Sequence, residues 1–228
     1  MKKIIILFLF VLSTAGLFAQ ECTSYFPVKI GSTWEMAHYG KKDKLEGTTS
    51  SQISAFEDTE TGYIATISMI STDEKSKETV NAELYVKCEN GIIFYDMRNF
   101  LPAGAYDENE VDMSVVSSDL QYPAIVEAGQ TLPDANINFT INSGGFSMEF
   151  RTEITNRKVI GKETIECPAG TFEVWKISYT IESKSGMMNS KHTGIEYISI
   201  GNGVIKTETY NEKGVLQGYS ILTKIAVE

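Results

Sequence analysis

The stretch Phe172-Glu173-Val174-Trp175-Lys176-Ile177-Ser178-Tyr179-Thr180-Ile181 decides the fold class. Trp175, Ile177, Tyr179 and Ile181 share one parity, and Lys176, Ser178 and Thr180 share the other. A strand sends successive side chains to opposite faces, so this run reads as a half-buried β-strand with one apolar face. The period of two recurs outward in both directions. Toward the C-terminus, Val215, Tyr219, Ile221, Ile225 and Val227 share parity, with Gln217 and Thr223 as interruptions. Toward the N-terminus, Trp34 and Met36 alternate with Glu35. Ile64 to Ile70 is apolar at both parities, which reads as a strand covered on both faces.

Turn chemistry separates these runs. Asn202-Gly203, between Ile195–Ile200 and Val204–Tyr210, predicts a two-residue hairpin, because a type I′ turn needs positive φ twice. Glu89-Asn90-Gly91 joins Leu84–Cys88 to Ile92–Tyr95 in the same way. Asn211-Glu212-Lys213-Gly214 closes another hairpin, and Pro168-Ala169-Gly170 reads as a type I turn ending on a left-handed glycine. Each turn links sequence neighbours, so the topology is expected to be a meander of roughly ten to twelve antiparallel strands. Arg98 to Pro123 breaks the pattern with Pro102, Gly104 and the acids Asp107, Glu108, Glu110 and Asp112. It reads as one long crossing connection with a short helix near Asn99 to Tyr106, and Asn142 to Gly145 reads as a loop tip.

The chain starts with Lys2 and Lys3, an apolar run from Ile4 to Leu12, and small and apolar residues to Ala19. That order predicts a secretory signal over residues 1–19 and one β domain over residues 20–228. Cys22 also admits a reading as a lipid-modified cysteine, but Glu21 is a poor match for the small residues that such a signal places before it. No other stretch is apolar for the ~20 residues of a membrane helix. Loss of the leader removes two lysines and no acid, so the net charge of −10 becomes −12. A domain this acidic repels polyanions and carries no basic cluster with interleaved aromatics, which disfavours nucleic-acid binding. The expected location is outside the cytoplasm: periplasm, outer-membrane-associated or extracellular.

Candidate chemistry is sparse. Cys22, Cys88 and Cys167 remain after cleavage, an odd number that implies one disulfide and one leftover thiol in an oxidising compartment. There is no Cys-x-x-Cys, and His38 and His192 are the two imidazoles, so no zinc site of the usual kind assembles locally. Neither histidine sits in a recognisable triad context, and no Gly-x-Ser-x-Gly elbow occurs. The acidic cluster lacks the alternating ligands and turn glycine of a calcium loop. The sequence therefore predicts no catalytic, metal or cofactor-binding residues and a protein that is not an enzyme.

Several segments together resemble the TapB-like family of exported β proteins. They are Cys22 with Tyr25-Phe26-Pro27, Lys29, Gly31, Trp34-Glu35 and Tyr39, then Cys88 before Asn90-Gly91 and Leu101-Pro102. Gly129-Gln130, Leu132-Pro133-Asp134-Ala135, Asn156-Arg157-Lys158-Val159 and Gly161-Lys162-Glu163 follow. Pro168-Ala169-Gly170-Thr171-Phe172, Gly203-Val204 and Thr207-Glu208-Thr209-Tyr210 complete the set. The resemblance implies a curved antiparallel sheet similar to the open half-barrel of lipoprotein-carrier proteins, and it implies no established activity. It also implies that Cys22 pairs with Cys88 and that Cys167 is the spare.

The expectation is thus an all-β, mainly antiparallel curved meander, or open half β-barrel. Its concave face would include Trp34, Trp175, Ile177, Tyr179 and Tyr219 and could hold an apolar small molecule or lipid. The competing expectation is a non-catalytic envelope structural or protein-interaction module, with the crossing connection closing that face. The sequence names neither a ligand nor a protein partner.

Overall fold

A computed structural model describes residues 22, 25, 27, 29–100, 112–124, 126–143 and 146–227. The leader reading of residues 1–19, the acids Asp107 to Glu110 and the expected helix beyond Phe100 lie outside these residues. So does the glycine end of the 142–145 tip.

The described chain is all-β and antiparallel. Its strands are β1 (Thr33–Tyr39), β2 (Leu45–Thr59), β3 (Gly62–Asp73), β4 (Glu78–Glu89) and β5 (Ile92–Tyr95). β6 (Asp112–Ser118), β7 (Leu120–Pro123), β8 (Ala135–Ser143) and β9 (Phe146–Cys167) follow. The last are β10 (Gly170–Ser185), β11 (Met188–Ser199), β12 (Gly203–Asn211) and β13 (Leu216–Ala226). They form one 13-stranded sheet in the order β6-β8-β9-β10-β11-β12-β13-β1-β2-β3-β4-β5-β7. Two meanders, β1 to β5 and β8 to β13, are joined where the first strand pairs with the last. The sheet curls into a nearly closed barrel with one unsealed seam between its edges, β6 and β7.

Those edges are consecutive in the chain, separated by Asp119 alone. One extended run therefore spends its first half on β8 and its second half on β5. This is the crossing connection expected from Arg98 to Pro123, and its described part contains two strands. A 3-10 turn at Met97–Phe100 precedes it and lies against β4, β6 and β8, with Met97 fully buried.

Hairpin chemistry follows the sequence in most places. Asn90 and Gly91 both take positive φ, at 50° and 76°, and directly link the paired residues Glu89 and Ile92. In the 211–214 turn, Asn211 Oδ1 accepts from the backbone N–H of Lys213 and Val215, which caps the loop with a side chain. The Asn202-Gly203 expectation is corrected. Ser199 pairs with Gly203 across a three-residue loop, and the positive φ values fall on Gly201 and Gly203.

Two parity expectations also change. On β3, Tyr63, Ala65 and Ile67 are buried while Ile64 and Ile70 are exposed, so that strand has one covered face. On β13 the fully buried residue is Leu222, of the opposite parity to the expected set, and Val215 and Val227 are each 55 % exposed. A bulge also breaks the parity within the strand. Glu35 pairs with Lys224 and Met36 with Leu222, leaving Thr223 unpaired, and an extra residue switches the face presented by all that follows. Thr223 Oγ1 lies 3.0 Å from the Glu35 carbonyl and 2.8 Å from its carboxylate, which holds the bulge in place.

The core has two parts. The larger gathers residues such as Ile53, Ile67, Val86, Ile93, Ile137, Ile154, Val159, Ile177 and Ile198 from both meanders. A smaller cluster of Val174, Tyr197, Ile205 and Leu222 lies under the C-terminal meander. Trp34 packs against both.

Candidate ligand-binding site

The site begins with an irregularity in β9. Opposite Tyr179 the register slips: Ser178 pairs with Lys158, yet Thr180 pairs with Thr155. Asn156 takes the left-handed conformation there, with φ 55°, a region that asparagine tolerates better than most residues. A bulge re-aims the side chain that follows it. Arg157 is consequently turned into the core, where it is 1 % exposed. Its Nη1 donates to the carbonyls of Gln121 and Pro133, both at 2.9 Å. Gln121 lies on the edge strand β7, so this side chain spans the seam. The guanidinium carbon sits 4.6 Å from the ring centre of Tyr122, a cation–π contact. Arg157 Nη2 is buried and has no hydrogen-bond partner.

Glu196 reaches the same place from β11. It pairs across the sheet with Ile177, so alternation puts it on the face of Ile177 and Ile198 and opposite to Tyr197. It is 8 % exposed. The Tyr122 hydroxyl donates to its carboxylate, 3.0 Å from each oxygen. Burial pushes the Glu196 carboxyl up from its ordinary range, while the Arg157 charge and the Tyr122 hydrogen bond pull it partly back. No ion pair within contact distance joins Glu196 to Arg157 among the described residues.

Tyrosines complete the surroundings. Tyr25 packs its ring 5.8 Å from Tyr122 and donates to the Pro123 carbonyl. Tyr95 meets Tyr122 edge-on at 6.0 Å. Burial raises the Tyr25 phenol to about 12 and also lifts those of Tyr95, Tyr122 and Tyr179, so all four are neutral donors at physiological pH. The Tyr179 ring lies over Gly194, its cross-strand partner. A Cβ there would come 2.2 Å from the ring, so glycine is what admits it.

Two hollows flank this cluster and share Leu120, Tyr122 and Glu196 as a common wall. The larger, about 190 Å³, is also lined by Tyr25, Tyr95, Ile198, Gly203 and Val204. The smaller, about 110 Å³, adds Ile154, Arg157, Tyr179 and Ile181. A roomier surface depression of about 410 Å³ near Arg151, Glu182 and Lys191 is lined by exposed charges that pair with one another. It has the character of a solvated face.

Of the residues expected on an apolar concave face, Ile177 is fully buried in the larger core, and Trp34, Trp175 and Tyr179 pack against it. Tyr219 belongs to neither core cluster; it stacks on Tyr39 of β1 at 4.9 Å. Cys22 and Cys88 are joined as a disulfide with Cα atoms 6.0 Å apart, and Cys167 is free. The bridge ties the segment bearing Tyr25 to β4. Gly62 makes room for it, since a Cβ there would meet the Cys88 carbonyl at 2.2 Å and the Cys22 sulfur at 2.7 Å.

His38 bridges strands, with Nδ1 2.7 Å from Ser220 Oγ and Nε2 2.7 Å from Thr49 Oγ1. The second nitrogen faces a hydroxyl where a triad would place a carboxylate. His192 lies opposite Ile181, its Nδ1 buried without a partner. Among the described residues no group of three or more His, Cys, Asp or Glu could hold a metal ion, and no helix is long and apolar enough to cross a membrane.

Sequence reasoning gave no site role to Arg157, which entered only among the family-resembling segments, and did not name Glu196 or Tyr122. Their signals were an asparagine inside a long strand, which marks a bulge, and a lone acid within Ile195-Glu196-Tyr197-Ile198.

Known structures share this architecture. An exported-type protein of Bacteroides fragilis with a YmcC-like fold is 21% identical, with a TM-score of 0.73 over 90% of this chain and 100% of its own. A lipoprotein-type chain of Parabacteroides distasonis is 24% identical, with a TM-score of 0.73 over 91% of this chain and 100% of its own. No curated protein matches the sequence significantly. The family model described as DUF3108-like matches residues 29–222, nearly all of the barrel, and the chain belongs to that family.

Proposed function

We propose that this protein is an exported, non-catalytic binding module that holds an apolar or lipid-like ligand inside its barrel. The observation that carries the reading is the pair of adjoining hollows walled by Leu120, Tyr122, Ile154, Ile181, Ile198 and Val204 around a small polar centre. Ligand sites are typically concave, mostly apolar and equipped with a few convergent polar groups, with volumes of about 300–1,000 Å³. The two hollows together reach the lower end of that range. The unsealed seam supports the reading further, because a ligand needs a way in. Export is supported by the leader-like N-terminus, by the Cys22–Cys88 bridge, which persists in oxidising compartments, and by the description of the Bacteroides relative as exported. The resemblance to TapB-like exported proteins points the same way.

Native mass spectrometry on protein recovered from the envelope of its producing cell, with organic extraction, tests the reading. A reproducible apolar adduct is the expected result. A clean unliganded mass together with no uptake of a fluorescent lipid overturns it. The second reading, an envelope interaction module, is favoured by the β10–β11 hairpin tip, where Met187 is 99 % exposed and Met188 follows it. It takes over if the barrel stays empty.

A further inference from the structure

Arg157 is held by more than packing, yet it is not fully used. Nη1 serves two carbonyls, while Nη2 is buried, has no partner, and belongs to a side chain lining the smaller hollow. A guanidinium cannot shed its proton, so its charge persists in this low-dielectric setting. A buried donor left unsatisfied is costly, and each such group in a folded protein calls for an explanation. Glu196, on the shared wall, does not supply it. Its oxygens take the Tyr122 hydroxyl, it makes no ion pair with Arg157, and burial favours its protonated form.

Building on the binding reading above, we infer that the ligand is an amphiphile with a carboxylate head, received by Arg157 Nη2 in the smaller hollow, and an apolar chain that passes Tyr122 into the larger one. The smaller hollow, about 110 Å³, has room for a compact planar head, given that a water takes about 30 Å³. Leu120, Ile154 and Ile181 around it suit the first carbons of a chain. The larger hollow offers Tyr25, Tyr95, Ile198 and Val204 to the rest. Arginine matches a carboxylate by charge and by the geometry of its fork, and charge-assisted hydrogen bonds are about twice as strong as neutral ones.

The test is calorimetric titration of the delipidated protein at neutral pH with a medium-chain fatty acid, its methyl ester, the alkyl phosphate of equal chain length, and acetate. The acid is expected to bind at least about tenfold more tightly than the ester, as a charge-assisted bond implies. Acetate is expected not to compete. Glu196→Gln removes a nearby acid and should hold or raise the preference for the acid over the ester. Arg157→Gln should abolish the preference for the acid. If that variant unfolds because the seam loses its bond to Gln121, the ligand series on the native protein and on Glu196→Gln still decides. Equal binding of acid and ester, tighter binding of the phosphate, displacement by acetate, or a smaller acid-over-ester preference in Glu196→Gln each overturns the inference while leaving the apolar-binding reading intact. Binding of none of the chain-bearing ligands overturns both.

Discussion

Glu196 shows what one residue can be asked to do. A carboxyl that is 8 % exposed resists ionisation, so the folded chain keeps its proton to higher pH than the unfolded chain does. The sign follows. Well below about pH 4.3, both states are protonated and burial carries no charge penalty. As pH rises through the elevated folded value, the unfolded state ionises freely and the native state loses stability relative to it. Glu196→Gln should therefore match the wild type near pH 3 and exceed it in urea midpoint at pH 8. A gap that closes or reverses as pH rises would show that the Arg157 charge outweighs burial. Gly194 belongs at the same scale. Gly194→Ala drives a methyl into the Tyr179 ring and should cost about 1–3 kcal/mol, the range for overpacking, along with binding to the smaller hollow. Differential scanning calorimetry and the ligand titration read the two effects separately.

Among the elements, the joints between strands carry the polar rungs. His38 of β1 holds Ser220 of β13 on one side and Thr49 of β2 on the other, and Thr49 passes the row on to Ser71 of β3 at 2.8 Å. Burial lowers the proton affinity of this imidazole below its usual value near pH 6.5. A depressed folded value means that stability is present at pH above about 6.5 and is lost as pH falls through the folded value. His38→Gln should be less stable than wild type at pH 8 by about 1–2 kcal/mol, from hydrogen bonds near 1 kcal/mol each, and should show a flatter profile between pH 7 and pH 5. At this scale much of the fold was legible beforehand. The parity of Trp175 to Ile181 and the Asn90-Gly91 and Asn211–Gly214 turns are written locally, in period and in φ demands. The bulges at Thr223 and Asn156 were not legible, because an extra residue shows only against its partner strand. The pairing of β1 with β13 was equally hidden, since nothing local specifies which distant edge a strand will meet. The polar centre inherits that limit. Tyr122, Arg157 and Glu196 come from three strands, and the apolar-face residues Trp34, Trp175, Ile177 and Tyr179 were visible where the three were not.

Over the whole molecule, the Cys22–Cys88 bridge spans 66 residues of sequence and fastens the N-terminal segment to the barrel. The chain-entropy account credits such a loop with about 4 kcal/mol, and engineered cases often deliver less. Cys22→Ser should lower the melting temperature and also weaken ligand binding, because Tyr25 would lose its tether beside the larger hollow. An unchanged affinity would place Tyr25 under the control of Tyr122 and Pro123 alone. Hydrogen exchange should be fastest at β6 and β7, each laddered on one side, and slowest in β2, β3, β9 and β10, which are paired on both.

The single residue between β6 and β7 makes the barrel a split ring. Its circumference is continuous through covalent bonds at Asp119 but not through a ladder of hydrogen bonds, so the lumen can change girth without unzipping a strand pair. Filling it would load the contacts that clasp the gap, such as Arg157 with Gln121. A head group that recruits Arg157 from within would thus tug on the clasp itself, making occupancy and girth two readings of one gauge.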